Sequence, residues 1–139
     1  IHQLPRLERF IQNRRDNAAY WNAHLGRWGE YLILPREAPE ARHVYFAYPV
    51  MVRPGAPFTA KALQAHLEAN GVETRPIESG NMAIQPAMKH IKHRVSGELR
   101  NAQAIHERAF FWGNHHGIGS LEREAVVEYF REFFEKVKL

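Results

Sequence analysis

The sequence predicts an α+β domain, a layer of short strands packed on helices. Three observations carry that prediction: segments of helical period open and close the chain, apolar runs of strand composition lie between them, and no repeat, low-complexity tract or linker interrupts the order. At 139 residues and 45% hydrophobic composition, the chain has apolar material for one core and is small for two lobes.

Between Leu4 and Leu25, the residues Leu7, Phe10, Ile11, Ala18, Tyr20, Trp21 and Leu25 recur at three- and four-residue steps, the pattern of a long amphipathic helix. Pro5 is tolerated in its first turn, where an N–H has no helical partner, and Gly26 and Gly29 mark its end. Pro35 and Pro39 make residues 34–39 an irregular connector. His43 to Val52 is rich in Val, Tyr, Phe and Met and reads as a central strand, stopped by Arg53-Pro54-Gly55. Pro49 predicts a local irregularity there, because proline has no N–H to give a ladder. Thr59 caps a helix through Leu63 and Leu67 to Asn70, and Gly71 closes it in the left-handed conformation. Val72 to Ile77 is a second strand, Pro86 to about His93 a short helix, Leu99 to Arg108 a longer one, and Ala109 to Trp112 a third strand. In the terminal helix, Glu122 to Val137, the residues Val126, Tyr129, Phe130, Phe133 and Phe134 form an apolar face, and the acidic start and basic end suit the helix dipole.

The absence of cysteine excludes a disulfide framework, a zinc ribbon and a thiol nucleophile within this chain, and a reducing cytoplasm is the expected compartment. No apolar run approaches the roughly 20 residues that span a bilayer, so no membrane partner is expected. The formal net charge of +4 is scattered and suits a phosphorylated small molecule as well as nucleic acid. Nucleic acid is the weaker reading, because Tyr45-Phe46 and Phe110-Phe111-Trp112 lack the interleaved basic and glycine residues of an RNA-recognition sheet and read as core. Ile1, which enters a helical pattern directly, reads as an interior residue of a longer chain.

The segment Gly71 to Asn81, followed by Gln85-Pro86-Ala87, strings together backbone constraints and polar groups that packing alone does not require. Arg75 offers a planar, permanently charged fork suited to phosphate or carboxylate, or else an ion pair with Glu73 or Glu78. Gly80 permits a sharp turn from which Asn81 can present a donor and an acceptor, although on the residues alone Ser79-Gly80-Asn81 reads first as a simple tight turn. Gln85 is open to the same two readings, and Pro86 starts a helix. His115 and His116 can act as bases or metal ligands, but His90, His93 and His106 lie in separate segments, so no metal site is expected. The two histidines are expected to line a loop, with His115 making an interior hydrogen bond. No glycine-rich phosphate loop, catalytic carboxylate pair or serine nucleophile motif is present.

Five segments, in order, resemble the C-terminal domain of the DegT/DnrJ/EryC1/StrS family: Gln3-Leu4 through Arg14-Arg15, Tyr45 to Val50, Thr74-Arg75 to Asn81, Asn101-Ala102, and Phe111-Trp112-Gly113-Asn114-His115-His116-Gly117-Ile118. The resemblance implies a small antiparallel sheet packed against helices, like the C-terminal small domain of a fold-type-I enzyme dependent on pyridoxal phosphate (PLP). Gly80-Asn81 with Gln85-Pro86-Ala87 is closest to the keto-sugar 3-dehydrases that use pyridoxamine phosphate (PMP), although Ile84 stands where those often carry a basic residue. The family acts on nucleotide-linked keto-sugars in deoxysugar and lipopolysaccharide biosynthesis. Its cofactor, PLP or PMP, and the lysine or histidine that transfers protons belong to a large domain absent from residues 1–139. By this resemblance Arg75, Asn81, Gln85, Asn114, His115 and His116 lie near substrate or cofactor. No residue here is itself catalytic, the isolated chain binds no cofactor and is inert, and a homo-oligomer is expected. The alternative is a standalone binding or oligomerisation module that kept the fold without the chemistry.

Overall fold

The computed structural model describes residues 2–138; Ile1, read above as an interior residue, lies outside them. Four strands and four helices follow one another as α1 (Leu7–Leu25), β1 (Leu32–Ile33), β2 (Ala47–Val52), α2 (Ala60–Ala69), β3 (Thr74–Pro76), α3 (Arg100–Arg108), β4 (Ala109–Gly113) and α4 (Ser120–Lys136). The strands form one sheet in the order β1-β2-β4-β3, and every neighbouring pair is antiparallel. The α+β architecture expected from the sequence is therefore present. Among the described residues no helix is long and apolar enough to cross a membrane.

Register explains the core. Tyr48 and Thr74 both pair with Trp112, Val50 pairs with Phe110, and Leu32 pairs with Val52, so strand alternation turns all seven side chains to one face. All seven are buried. Trp21 and Leu25 of α1, Trp28 in the 3-10 turn that follows it, Leu63 and Leu67 of α2, and Phe130, Phe133 and Phe134 of α4 complete the cluster. Trp112 sits at its centre, with ring centroids 4.8 Å from Tyr48, 5.4 Å from Trp21 and 5.6 Å from Phe130. On the opposite face, Ile105 of α3 lies across an apolar hollow from Ile33, Pro49, Met51 and Ala109.

Several sequence expectations are corrected. The first helix begins with a separate 3-10 turn, Leu4–Arg6, around Pro5. Two-residue β1 was not foreseen, being too short for any period to register. The strand placed over His43 to Val52 starts only at Ala47, because Tyr45 has φ +46° and its N–H donates to His43 Nδ1 at 2.8 Å, which bends the chain before the ladder begins. Phe46, expected in the core, is 73% exposed on the outside of that bend, with the Arg14 guanidinium 5.8 Å from its ring centroid. Pro49 causes no irregularity: it stays in register with Phe111, and β1 reaches no further along β2 than Met51, leaving one flank of Pro49 with no strand to bond. The second strand shortens to β3, and the helix expected from Pro86 is a 3-10 segment ending at His90.

Thr59 caps α2 as expected, its Oγ1 accepting from Ala62 N at 3.2 Å, and Gly71 closes the helix at φ +83°. Thr59→Ala is expected to destabilise the chain by about 1 kcal/mol in urea unfolding, the usual worth of such a cap.

A polar strap fastens the 34–46 connector to α1. Arg15 Nη1 and Nη2 donate to the two carboxylate oxygens of Glu37 at 2.8 and 2.9 Å, and Glu37 Oε1 also accepts from His43 N at 2.6 Å. Those donors, the Arg15 fork foremost, hold the Glu37 carboxyl at about 2. A depressed carboxylate stabilises the fold fully above its unfolded value of 4.5, and that contribution fades as pH falls toward 2. Glu37→Gln should therefore lower the urea midpoint at pH 7 and narrow the difference between pH 7 and pH 3.

Candidate functional site

The segment singled out in the sequence, Gly71 to Gln85, contains the edge strand β3 and is shared by two surface grooves. The first, of roughly 470 Å³, opens where the chain before β3 diverges from the end of β4, and α4 forms its floor. Arg75 and His115 both line it, together with Glu73, Trp112, Glu122 and Tyr129. The second, of roughly 440 Å³, lies beyond β3 and is lined by Pro76, Glu78, Gly80, Met82, Gln85 and His106 among others. The strand β3 thus carries its residues from one groove into the next.

The six candidate residues divide into outward groups and internal struts. Arg75 projects from the outer face of the sheet opposite Phe111; its side chain is 68% exposed and pairs with Glu73, Nη2 to Oε1 at 2.6 Å. An exposed pair of this kind is worth little in water, so the fork is free to exchange Glu73 for an anionic ligand. His115 is exposed, contrary to the interior hydrogen bond expected of it; its Nδ1 accepts from Gly117 N at 3.1 Å, a bond local to the loop. His116 is on another surface, stacked on Phe10 of α1 with ring centroids 3.9 Å apart.

Asn114 is 1% exposed. Its Nδ2 donates to the carbonyls of Arg14 and Tyr45, each at 3.0 Å, and its Oδ1 accepts from Asn17 Nδ2 at 3.2 Å, so one amide ties α1, the bend before β2 and the loop after β4 together. Asn81 is 5% exposed; its Oδ1 accepts from Ala83 N at 3.2 Å and its Nδ2 donates to Gln103 Oε1 at 2.8 Å. Gln85 reaches back across the loop to donate from Nε2 to the Ser79 carbonyl at 2.7 Å. Arg75 and His115 are brought together in one groove, Gln85 lies in the other, and Asn81 and Asn114 support the loops from beneath.

Sequence reasoning missed the guanidinium groups of Arg14, Arg108 and Arg123, whose buried Nε atoms have no partner among the described residues, because arginine in a mixed-charge stretch gives no signal of burial. No group of three or more His, Asp or Glu able to hold a metal ion occurs among the described residues.

A small four-stranded antiparallel sheet packed against helices matches part of the PLP-dependent aminotransferase fold. Superposition on the aminotransferase of Psychrobacter cryohalolentis gives a TM-score of 0.87 over 99% of this chain and 37% of that one, at 18% identity, a likeness of fold alone. The profile of the DegT/DnrJ/EryC1/StrS aminotransferase family matches residues 1–131, and the chain belongs to that family, as its C-terminal part. It is 30% identical over 134 residues to the lipopolysaccharide biosynthesis protein RfbH of Salmonella typhimurium, covering 96% of this chain and 31% of that protein. It is also 30% identical over 116 residues to the GDP-4-keto-6-deoxy-D-mannose 3-dehydratase of Yersinia pseudotuberculosis, covering 83% of this chain and 29% of that enzyme. The structure of the E. coli GDP-4-keto-6-deoxy-D-mannose 3-dehydratase with bound hydrated PLP superposes with a TM-score of 0.79 at 29% identity, over 96% of this chain and 33% of that one. The chain thus spans about a third of the length of these relatives.

Proposed function

We propose that this chain is the small domain of a PLP- or PMP-dependent enzyme that dehydrates a nucleotide-linked keto-sugar, and that it closes over the substrate and contributes contacts between subunits. The observation that carries this reading is the run from Arg75 to Gln85, in which an exchangeable guanidinium and a braced polar loop lie beside each other at the β3 edge of the sheet. Arg75 would bind the anionic part of the nucleotide by its planar fork, and His115 would line the same groove. The exposed apolar residues Met82, Ile84, Ile91 and Val95 lie in one segment with Lys89, Lys92 and Arg94 and would form the surface that packs on the large domain or a second subunit.

The residues of this chain offer PLP no Schiff-base partner in either groove. Lys61, Lys89, Lys92, Lys136 and Lys138 are all exposed and none lines either groove, so no amine is placed to hold an aldehyde. The cofactor's electron-sink chemistry then belongs to the remainder of the enzyme, and this domain supplies orientation and charge.

The test is a chimera in which this chain replaces the matched third of the E. coli GDP-4-keto-6-deoxy-D-mannose 3-dehydratase. Consumption of the GDP-keto-sugar, with Arg75→Ala raising KM about tenfold, supports the reading. A folded chimera that binds PLP but shows no response to Arg75→Ala overturns it. The chain alone should neither bind PLP nor consume the sugar.

A further inference from the structure

We infer that α3 is a clamp, in which Gln103 and His106 are positioning residues that set the shape of the Ser79–Gln85 loop. The inference rests on the reading that this loop faces the nucleotide-linked sugar. Gln103 and His106 lie three positions apart and so share one face of α3, the face turned to the loop. Each acts on a different member of the loop.

Gln103 acts on Asn81. Its Oε1 accepts from Asn81 Nδ2 at 2.8 Å, and its own Nε2 donates to Glu107 Oε1 at 2.6 Å, so Glu107 fixes which end of the Gln103 amide meets Asn81. Asn81 in turn holds Ala83 N through Oδ1. The relay Glu107, Gln103, Asn81, Ala83 therefore runs from the helix into the loop, and every amide in it has a defined orientation.

His106 acts on Gly80. That glycine has φ +57°, and a Cβ built on it would collide with the His106 ring at Nδ1 and stand 3.0 Å from His106 Cα and Cβ. The loop backbone is thus pressed against α3 so closely that only glycine fits, while Gly80 N closes the turn onto the Ile77 carbonyl at 2.8 Å. His106 also lines the groove occupied by Gln85, so its ring forms part of the wall that a ligand would meet.

Two linked measurements test the clamp. In this chain, Gln103→Ala and His106→Ala should speed hydrogen exchange at the amides of residues 80–85 about tenfold, with β4 unchanged, whereas Asn101→Ala, exposed on the same helix, should not. Gln103→Glu combined with Glu107→Gln keeps an acceptor for Asn81 and a donor beneath it, and should restore the protection. In the chimeric enzyme, the same two alanine variants should raise KM about tenfold for the GDP-keto-sugar and leave kcat within about twofold. Unchanged exchange at 80–85 overturns the clamp. Faster exchange with unchanged KM upholds the clamp and removes the reading that the loop faces the sugar.

Discussion

Replacing Asn114 with alanine is expected to lower the thermal midpoint by about 10 °C, since a loss near 3 kcal/mol moves a domain of this size by roughly that much. The substitution removes three hydrogen bonds at once, taking from the Tyr45 carbonyl its buried donor and leaving the Asn17 amide only its longer 3.4 Å bond to the Ile118 carbonyl, in a place where water does not reach. The decisive comparison is Asn114→Asp, which is nearly isosteric. It turns a donor facing two carbonyls into an acceptor, so it should destabilise at least as much as alanine. If volume were what mattered, aspartate would be harmless. Differential scanning calorimetry of the two variants separates the cases, and a shift of less than about 2 °C for both would mean that the three segments hold together without this amide.

Trp112→Ala should cost about 4 kcal/mol in urea unfolding, by the usual scale for removing a large aromatic ring from a packed core. The more discriminating variant is phenylalanine. The Trp112 Nε1–H is buried and has no acceptor among the described residues, so Trp112→Phe gives up no hydrogen bond and should cost only about 1 kcal/mol. Trp21 stands 5.4 Å away, and its Nε1–H donates to the Arg123 carbonyl at 3.1 Å, linking α1 to α4. Trp21→Phe breaks that bond between two helices, so it should cost clearly more than Trp112→Phe. Equal costs for the two would mean that the indole N–H of Trp112 is satisfied after all.

What the sequence made legible follows from which forces are local. Helices α1, α2 and α4 were readable because period and caps act within a few residues: Thr59 and Gly71 bracket α2 where expected, and the apolar face of α4 is the one that packs. Strand limits were not readable, because they depend on partners distant in sequence. The strand expected over His43 to Val52 lost its first four residues to the bend at Tyr45, and the β composition of Val44, Tyr45 and Phe46 gave no hint of a positive φ. The candidate site divides in the same way. Arg75, Gly80 and Gln85 were flagged by chemistry and are found at the surface grooves, and the pairing of Arg75 with Glu73 was one of the two readings held open. That Asn81 and Asn114 are buried braces could not be read, since burial of an amide is decided by Gln103 in one case and by Arg14, Asn17 and Tyr45 in the other.

The strand order has a consequence for how the molecule is made. β4 lies between β2 and β3, yet it is the last of the four strands to leave the ribosome, and its pairing with β2 closes a loop that runs from Met51 to Ala109. Until Trp112 has emerged, β2 and β3 share no neighbouring strand, and Tyr48 and Trp21 lack the ring at the centre of their cluster. Long-range pairing of this kind slows folding, because chain entropy is spent before any contact repays it. Nascent chains halted before residue 109 should therefore remain open to protease, and the emergence of β4, rather than the making of any single helix, becomes the event that commits the domain to its shape.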